Sequence, residues 1–208
     1  MITEIIIVIL FCFFAWYILS SNSGGTSLVD LKDGTKEVIS KTKDLTEFSY
    51  TCWIRIDDFT YNEGIPKIIF VKGSPDLEHA CPALLLDSNT NTLLVKLDTF
   101  GSQETISVTS IPSKKWMHIA LCVKEHEIKV YINGIEYTTH SLVHLPKTNT
   151  GQLITSPNGG FSGKIAKLQF YPRTLKYDEV TSQSKDLPSV SEKDQVFPPY
   201  FDLNWFKP

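Results

Sequence analysis

Two carboxylates lie close together in the sequence at Glu125 and Glu127, on either side of His126. Paired carboxylates can act as general acid and nucleophile in glycoside hydrolysis, provided that one strand holds both side chains on one face. Apolar alternation stops at Glu125 and His126, so the pair is predicted at a turn between two strands. The sequence therefore favours a solvated turn, and we assign no catalytic residues.

A candidate metal site lies at Asp87, Asn89 and Asn91, whose oxygen-bearing side chains are spaced like the first ligands of a calcium-binding loop. Asp98 stands at the twelfth position, where such loops carry a bidentate Glu, and Thr92 replaces the required Gly. An ordinary hairpin tip is favoured, and a weak calcium site stays open. Four other carboxylates could line a loop rim, although the sequence does not place them: Asp57, Asp58, Asp76 and Glu78.

The histidines do not form a metal-binding pattern in the sequence. His140 and His144 have the spacing of two ligands on a helix, but their segment is predicted as a loop. In an extended chain they would lie about 13 Å apart. His79 and Cys81 lack the base and orienting group of a nucleophilic site. His118 is predicted to be a hydrogen-bonded residue of the sandwich and not a ligand.

Residues 116–134 predict the strands that position these side chains. Apolar residues alternate, stop at residues 125–126 and alternate again up to Ile132. Asn133-Gly134 tolerates positive φ at both central positions of a type I′ turn, so a third strand should return over residues 135–139. A two-residue loop fixes the register, with the expected pairs Ile132 and Ile135, Val130 and Tyr137, and Ile128 and Thr139.

Short apolar segments recur about every ten residues through the rest of the chain, without a helical period. Strands are predicted at residues 37–41, 48–56, 67–72 and 105–109, with a hairpin at 83–98. The segment 48–56 is apolar on both faces, with Trp53 opposite the other large side chains, which is typical of a central strand. This series predicts an all-β sandwich.

An apolar segment near the N-terminus predicts a membrane anchor. Residues 5–19 are all apolar, and residues 1–20 could just cross a hydrocarbon core about 30 Å thick. A signal peptide is the alternative, but no Lys or Arg precedes the segment. The anchor residues are Ile5, Ile6, Ile7, Val8, Ile9, Leu10, Phe11, Phe13, Phe14, Trp16, Tyr17, Ile18 and Leu19. Residues 21–27 are small and polar, and are predicted to form a flexible spacer.

The composition changes again after Val180. Residues 181–208 comprise a polar linker and a Pro-containing tail with five aromatic side chains, which is unusual for a solvated terminus. The tail either packs on its own sandwich or docks on another protein. The residues assigned to partner binding are Phe197, Tyr200, Phe201, Trp205 and Phe206.

Charge and cysteine content limit the partners. The formal net charge is −3, and Arg55 and Arg173 are the only arginines beside eighteen lysines, so nucleic acid is excluded as a partner. Cys12 lies in the apolar segment, which leaves three cysteines that cannot all pair: Cys52, Cys81 and Cys122. Reduced thiols are therefore predicted, and together with Lys32 and Lys36 after the apolar segment they favour a domain that faces the cytosol.

Three segments resemble laminin G-like domains of the concanavalin A-like lectin and glucanase superfamily. They are Trp-x-His-Ile-Ala with Tyr-Ile-Asn-Gly at 116–134, the closing strand at 161–180, and an early core strand with a central Trp at 48–56. The resemblance covers residues 28–180 and implies a two-sheet antiparallel jelly-roll sandwich. The apolar segment before it predicts one N-terminal transmembrane helix. Glucanases of the superfamily carry E-x-D-x-E along one strand, and residues 125–127 lack its middle Asp.

The sequence therefore predicts a non-catalytic, membrane-anchored structural or interaction protein, whose partners are a bilayer and other proteins. Single-span proteins with one such sandwich resemble virion components of large icosahedral DNA viruses. That resemblance implies a minor capsid or virion-membrane protein, which would link an inner membrane to capsid proteins. The alternative is a membrane-tethered lectin that binds a glycan with or without calcium. The superfamily contains both kinds of protein, so the fold does not decide between them.

Overall fold

A computed structural model describes residues 24–189, and this part of the chain forms twelve strands in two six-stranded antiparallel sheets. The strands are β1 (Thr26–Asp33), β2 (Val38–Ser40), β3 (Glu47–Asp58), β4 (Lys67–Lys72), β5 (Ala83–Leu86), β6 (Leu93–Leu97), β7 (Glu104–Val108), β8 (Trp116–Lys124), β9 (Glu127–Ile132), β10 (Ile135–Ser141), β11 (Leu153–Thr155) and β12 (Ser162–Tyr171). A 3₁₀ turn at Pro157–Gly159 and helix α1 (Tyr177–Gln183) complete the described elements. The predicted all-β architecture of two antiparallel sheets is confirmed, and it is consistent with a jelly roll.

Sheet A has the strand order β1-β12-β3-β8-β9-β10, and sheet B has the order β2-β11-β4-β5-β6-β7. The main core lies between them, where β3 is the central strand of sheet A. The ring centroid of Tyr50 lies 5.4 Å from that of Phe70 in sheet B and 5.1 Å from that of Phe170 in sheet A. Each large apolar side chain that is fully buried there contributes about 1.5–3 kcal/mol to folding.

The β8–β9–β10 meander confirms one part of the predicted register and corrects another. Asn133 and Gly134 both have positive φ, as a type I′ turn requires, and Ile132 pairs with Ile135. An irregularity between Glu136 and Thr138 then shifts the register by one residue. Val130 therefore pairs with Thr138 and Ile128 with His140, so the two outer pairs predicted from loop length were wrong.

Strand β1 was missed because it is an edge strand with almost no burial pattern. Val29 is its one fully buried residue, and the register with β12 is irregular between Ser27 and Val29. β1 begins at Thr26, inside the segment predicted as a spacer, so the last two residues of 21–27 belong to the sandwich. The short β11 was also missed. At the other end, helix α1 continues to Gln183, three residues beyond the predicted domain boundary.

The outer face of sheet A carries a second apolar cluster beneath the segment that follows β12. Val180 of α1 and Leu175 pack there on the sheet, and the cluster comprises Ala120, Cys122, Tyr131, Tyr171, Leu175 and Val180. Arg173 holds the helix by two hydrogen bonds to the Glu179 carboxylate, at 2.8 and 2.5 Å. These bonds, with a third from the Lys176 backbone N–H, lower the pKa of Glu179 to about 2, although partial burial opposes the shift.

The strand register defines two ends of the sandwich. The proximal end is the end at which Gly24 lies, and it carries the long loops 41–46, 73–82, 98–103 and 142–152. The distal end carries the turns at 87–92, 109–115 and 133–134. Residues 1–23 and 190–208, which contain the predicted anchor and the aromatic tail, lie outside the described residues. Between residues 24 and 189 no helix is long and apolar enough to span a membrane.

Candidate functional site

The long loops of the proximal end are joined to one another by hydrogen bonds. The Asn149 amide donates to the backbone oxygens of Lys72 at 3.1 Å and His79 at 2.8 Å, and its oxygen accepts from Gly151 N–H at 3.0 Å. The ammonium group of Lys72, which is 3% exposed, donates to the backbone oxygens of Thr42 and Gly151. Burial lowers the pKa of Lys72. Loops 41–46, 73–82 and 142–152 are therefore held in one arrangement.

The 98–103 loop joins the same network through its backbone. Asp98 N–H donates to the Ala80 oxygen at 2.7 Å, and Lys147 N–H donates to the Asp98 oxygen at 2.9 Å. The Thr99 hydroxyl donates to the Ser102 oxygen at 2.6 Å and accepts from Gly101 N–H. These bonds fix the tip of the loop although it projects from the sandwich.

A histidine–carboxylate pair closes the edge of this end. His140 Nε2 lies 2.7 Å from Glu104 Oε2, and Val143 N–H donates to Glu104 Oε1 at 2.8 Å. Partial burial tends to raise the pKa of Glu104, but the hydrogen bonds from His140 and Val143 outweigh it and lower this pKa. The pair connects β10 of sheet A to β7 of sheet B.

Three apolar side chains project from this hydrogen-bonded framework, and we call them the apolar tip: Phe100, Val143 and Leu145. They are 71%, 74% and 44% exposed. Phe100 N–H donates to the Leu145 oxygen at 3.0 Å, so the two loops that carry them are neighbours. A group of exposed apolar side chains on a fixed framework is typical of a binding surface.

The calcium candidates lie at the distal end, away from the apolar tip. The Asp87 carboxylate accepts hydrogen bonds from Thr90 Oγ1 at 2.8 Å and from the N–H groups of Asn89 and Thr90, so it stabilises its own turn. The Thr90 hydroxyl is the main cause of the lowered Asp87 pKa. Asp98 is instead at the proximal end, where its Oδ2 lies 3.4 Å from Nδ1 of His79. Among the residues that the structure describes, no group of three or more His, Cys, Asp or Glu could hold a metal ion.

The four carboxylates that could have lined one rim do not share an end. Asp57 accepts two hydrogen bonds from Arg55 and Asp58 caps Thr60, both at the distal end. Asp76 accepts from Glu78 N–H in the 73–82 loop at the proximal end. The suggested rim of Asp57, Asp58, Asp76 and Glu78 was therefore wrong.

The structure places the other candidate residues individually. Glu125 lies in the β8–β9 turn, as predicted, and Glu127 is the first residue of β9 and pairs with Lys129 at 3.4 Å. His140 lies in strand β10, so its assignment to a loop was wrong, whereas His144 does lie in a loop, against Gly101.

His118 lies in strand β8. It is 1% exposed on the outer face of sheet A, with its ring 5.3 Å from that of Trp53. Its Nδ1 has no hydrogen-bond partner within residues 24–189, whereas its backbone N–H donates to Asn133 Oδ1 at 2.9 Å. Burial lowers its pKa to about 4. Beside it lies a cavity of about 30 Å³, bordered also by Lys167 and Gln183, which has room for one water molecule.

The described cysteines are three buried free thiols, Cys52, Cys81 and Cys122. Burial raises the pKa of Cys52 and of Cys81 to about 12 and also raises that of Cys122. The prediction of unpaired thiols in the domain is therefore confirmed for these three residues.

Sequence reasoning missed the residues that build the proximal surface. Glu104 and His140 are 36 positions apart, and Asn149 bonds to residues 70 and 77 positions away. Sheet order brings them together, and nothing in the local pattern indicates it. Phe100 did carry a signal, because an aromatic residue in a polar loop between two strands is seldom part of the core.

Comparison with known proteins gave matches in both sequence and structure. A family model described as the concanavalin A-like lectin/glucanases superfamily matches residues 23–181. A search of curated proteins gave no match. The binding domain of botulinum neurotoxin serotype D is 12% identical over 74% of this chain and 41% of that chain, with a TM-score of 0.59.

Two further solved structures are similar to the same extent. The binding domain of Paraclostridial Mosquitocidal Protein 1 is 18% identical over 78% of this chain and 47% of that chain, with a TM-score of 0.58. The binding domain of botulinum neurotoxin DC in complex with rat synaptotagmin II is 13% identical over 78% and 46%, with a TM-score of 0.57. The chain spans less than half of each of these structures. At identities this low, the similarity shows a shared fold and nothing more.

Proposed function

Because the chain belongs to the concanavalin A-like lectin/glucanases superfamily, we propose that its sandwich is a non-catalytic binding module that links a membrane to a protein partner. Residues 5–19 anchor it in the bilayer. The aromatic tail binds the partner through Phe197, Tyr200, Phe201, Trp205 and Phe206. The domain faces the cytosol, where its three buried thiols stay reduced.

The observation that carries this proposal is the position of the two ends of the described chain. Gly24 lies at the proximal end, beside Lys41 and Lys43. Near the other terminus, Asp186 pairs with Lys167 at 2.6 Å, on the outer face of sheet A. We propose that the anchor extends from the proximal end and that the tail follows from the outer face of sheet A, near Gln183, whose amide donates to the hydroxyl of Tyr171 beside Gly25.

The similar structures support a binding role by analogy of fold. All three are binding domains, and one of them is in complex with a protein, rat synaptotagmin II. For this chain we propose a structural role in a virion, as a minor capsid or virion-membrane protein that joins an inner membrane to capsid proteins. The small size of the sandwich, with one attachment segment proposed before it and one after it, suits such a linker.

The tail is tested by substitution in the full chain. Phe201→Ser with Trp205→Ser should abolish partner recovery in a crosslinked pull-down, whereas Ser189→Ala with Ser191→Ala in the polar linker should not. Thermal unfolding of both variants should match that of the parent chain. Recovery of the same partner by the aromatic variant would contradict the assigned role of the tail.

The anchor is tested separately by extraction of membranes at high pH. A spanning segment stays in the membrane pellet, whereas a peripherally attached protein is released. Replacing Ile9 and Phe13 by Asp should move the protein into the supernatant, because charges at the centre of a bilayer are costly. Release of the parent chain itself would contradict the anchor.

A second candidate, the membrane-tethered lectin, is favoured by the surroundings of Phe100. The exposed ring lies on a fixed loop, and the polar side chains near it include Gln103 and also His144, which lies against Gly101. Aromatic rings beside polar groups form the usual platform for a sugar. A glycan array with the full chain in detergent, with and without a calcium chelator, should show binding that Phe100→Ala removes. A blank array under both conditions would reject the lectin.

A further inference from the structure

The predicted anchor and the apolar tip lie at the same end of the sandwich. Gly24 lies beside Pro172, and the chain continues into β1, where Thr26 pairs with Phe170 near the end of β12. The loops that carry Phe100 and Val143 follow β6 and β10 at this same end. The first described residue, Gly24, therefore lies at the same end of the sandwich as the apolar tip.

From this arrangement we propose that the apolar tip contacts the bilayer, so that the sandwich is attached to the membrane at two points. The inference rests on the proposed function, because it takes residues 5–19 as the anchor. Five peptide units join Leu19 to Gly24, and they span at most about 18 Å. An anchor that crosses the bilayer therefore holds the proximal end close to the headgroups.

The two points lie at opposite edges of the proximal end. β1 is the first strand of sheet A and β10 is the last, with five interstrand spacings between them. At about 4.8 Å for each spacing, the anchor and the Val143 loop are separated by roughly 24 Å. One anchor allows the domain to tilt and rotate, whereas two contacts this far apart fix one orientation. The outer face of sheet A, where Asp186 pairs with Lys167, is then held roughly perpendicular to the membrane.

The apolar side chains, and not charge, carry this contact. Lys41, Lys43 and Lys147 lie on the proximal loops, but Asp44, Asp76 and Glu78 lie there as well. Opposite charges in similar number leave little attraction to anionic lipids. Phe100 and Val143 are more than two-thirds exposed and can enter the region between headgroups and acyl chains, where aromatic side chains are favoured. The contact should therefore form on neutral lipid and persist in high salt.

The test uses the full chain, with Cys12→Ala, reconstituted into phosphatidylcholine vesicles that contain brominated acyl chains. An environment-sensitive fluorophore is placed on Phe100→Cys, on Val143→Cys, or on Ile65→Cys as a control. Ile65 is 59% exposed in the loop between β3 and β4, at the distal end. The three native thiols are buried, so they should not react with the label.

The proposal expects emission from positions 100 and 143 to be blue-shifted and about halved by brominated lipid, because the labels reach the acyl-chain boundary. Position 65 should be unaffected, and 1 M salt should not reverse the quenching. Unquenched labels at 100 and 143 in a protein that stays in the pellet at high pH would overturn the inference and leave the anchor intact. Quenching only on anionic vesicles, lost in high salt, would also overturn it. Release from the vesicles at high pH would instead overturn the proposed anchor.

Discussion

The 87–92 turn of the distal end and the long loops of the proximal end are held by different kinds of contact. At the distal end, the 87–92 turn is held by bonds between Asp87 and residues two or three positions away. At the proximal end, Asn149 and Glu104 bond to residues 36 to 77 positions away. Local bonds can close a small turn. Bonds between distant loops hold the larger proximal surface, which also exposes the side chains of the apolar tip.

The largest effect is expected from a residue that lets β12 approach β3 closely at the distal end. Gly163 has φ +152°, and a Cβ there would lie 1.9 Å from the backbone oxygen of Arg55. Gly163→Ala must separate the two strands, and we expect it to lower the free energy of unfolding by more than about 3 kcal/mol in urea denaturation.

Gly64→Ala is the matched control for this substitution. Gly64 also has positive φ, +80°, but nothing lies within 4 Å of its Cβ position, so the cost should be about 1–2 kcal/mol. Equal losses for the two variants would show that close backbone packing does not hold the distal end together.

The second prediction concerns the network of the proximal end. Asn149→Ala removes three hydrogen bonds and should lower the free energy of unfolding by about 2–3 kcal/mol. Amide hydrogen exchange in loop 73–82 should increase more than in the 87–92 turn. Asn91→Ala, at an exposed distal position, should cost less than about 0.5 kcal/mol. Unchanged exchange in loop 73–82 would mean that the loops are not held together by Asn149.

The smallest effect should come from the pair that joins the two sheets at this end. The pKa of Glu104 is lower in the folded chain than its usual value of 4.5, so the carboxylate stabilises the fold above that pH and loses this contribution as the pH falls below it. Glu104→Gln should cost about 1 kcal/mol at pH 7, and the difference from the parent chain should shrink in acid.

Asp87→Asn is the distal counterpart of Glu104→Gln. The pKa of Asp87 is also lowered, but the hydrogen bonds of the Asp87 carboxylate stay within one turn. Asp87→Asn should therefore lower the free energy of unfolding by less than Glu104→Gln does. The free energy of unfolding of both variants is compared by denaturation at pH values from 3 to 7. A larger loss for Asp87→Asn would reverse the contrast between the two ends.

Local pattern was sufficient for the strands that alternate and for the turns that need special residues. Strand β4 was predicted with its observed bounds, and the Asn133-Gly134 turn has the expected positive φ values. Pattern failed where the backbone is irregular. The irregular pairing after Glu136 shifts the register, and edge strand β1 buries one residue, so neither leaves a periodic signal.

The candidate site was harder to predict because its parts come from different strands. His140 was expected in a loop, and its partner Glu104 could be named only after β7 and β10 were known to lie at neighbouring edges of the two sheets. The acidic residues could be identified in the sequence, but the sequence did not show at which end of the sandwich each one lies. Asp57 and Asp76 look alike in sequence and lie at opposite ends. Sheet order, which is set by the whole fold, decides such questions.

The antiparallel pairing of β1 with β12 also has a mechanical consequence. A force that pulls Gly24 away from the proximal end acts along the axis of β1, while the hydrogen bonds to β12 run across it. The ladder is therefore loaded in shear, and its bonds resist together instead of opening one after another. An edge strand that buries only Val29 in the core is thus placed to bear tension, and single-molecule stretching from residue 24 would measure it as a high rupture force.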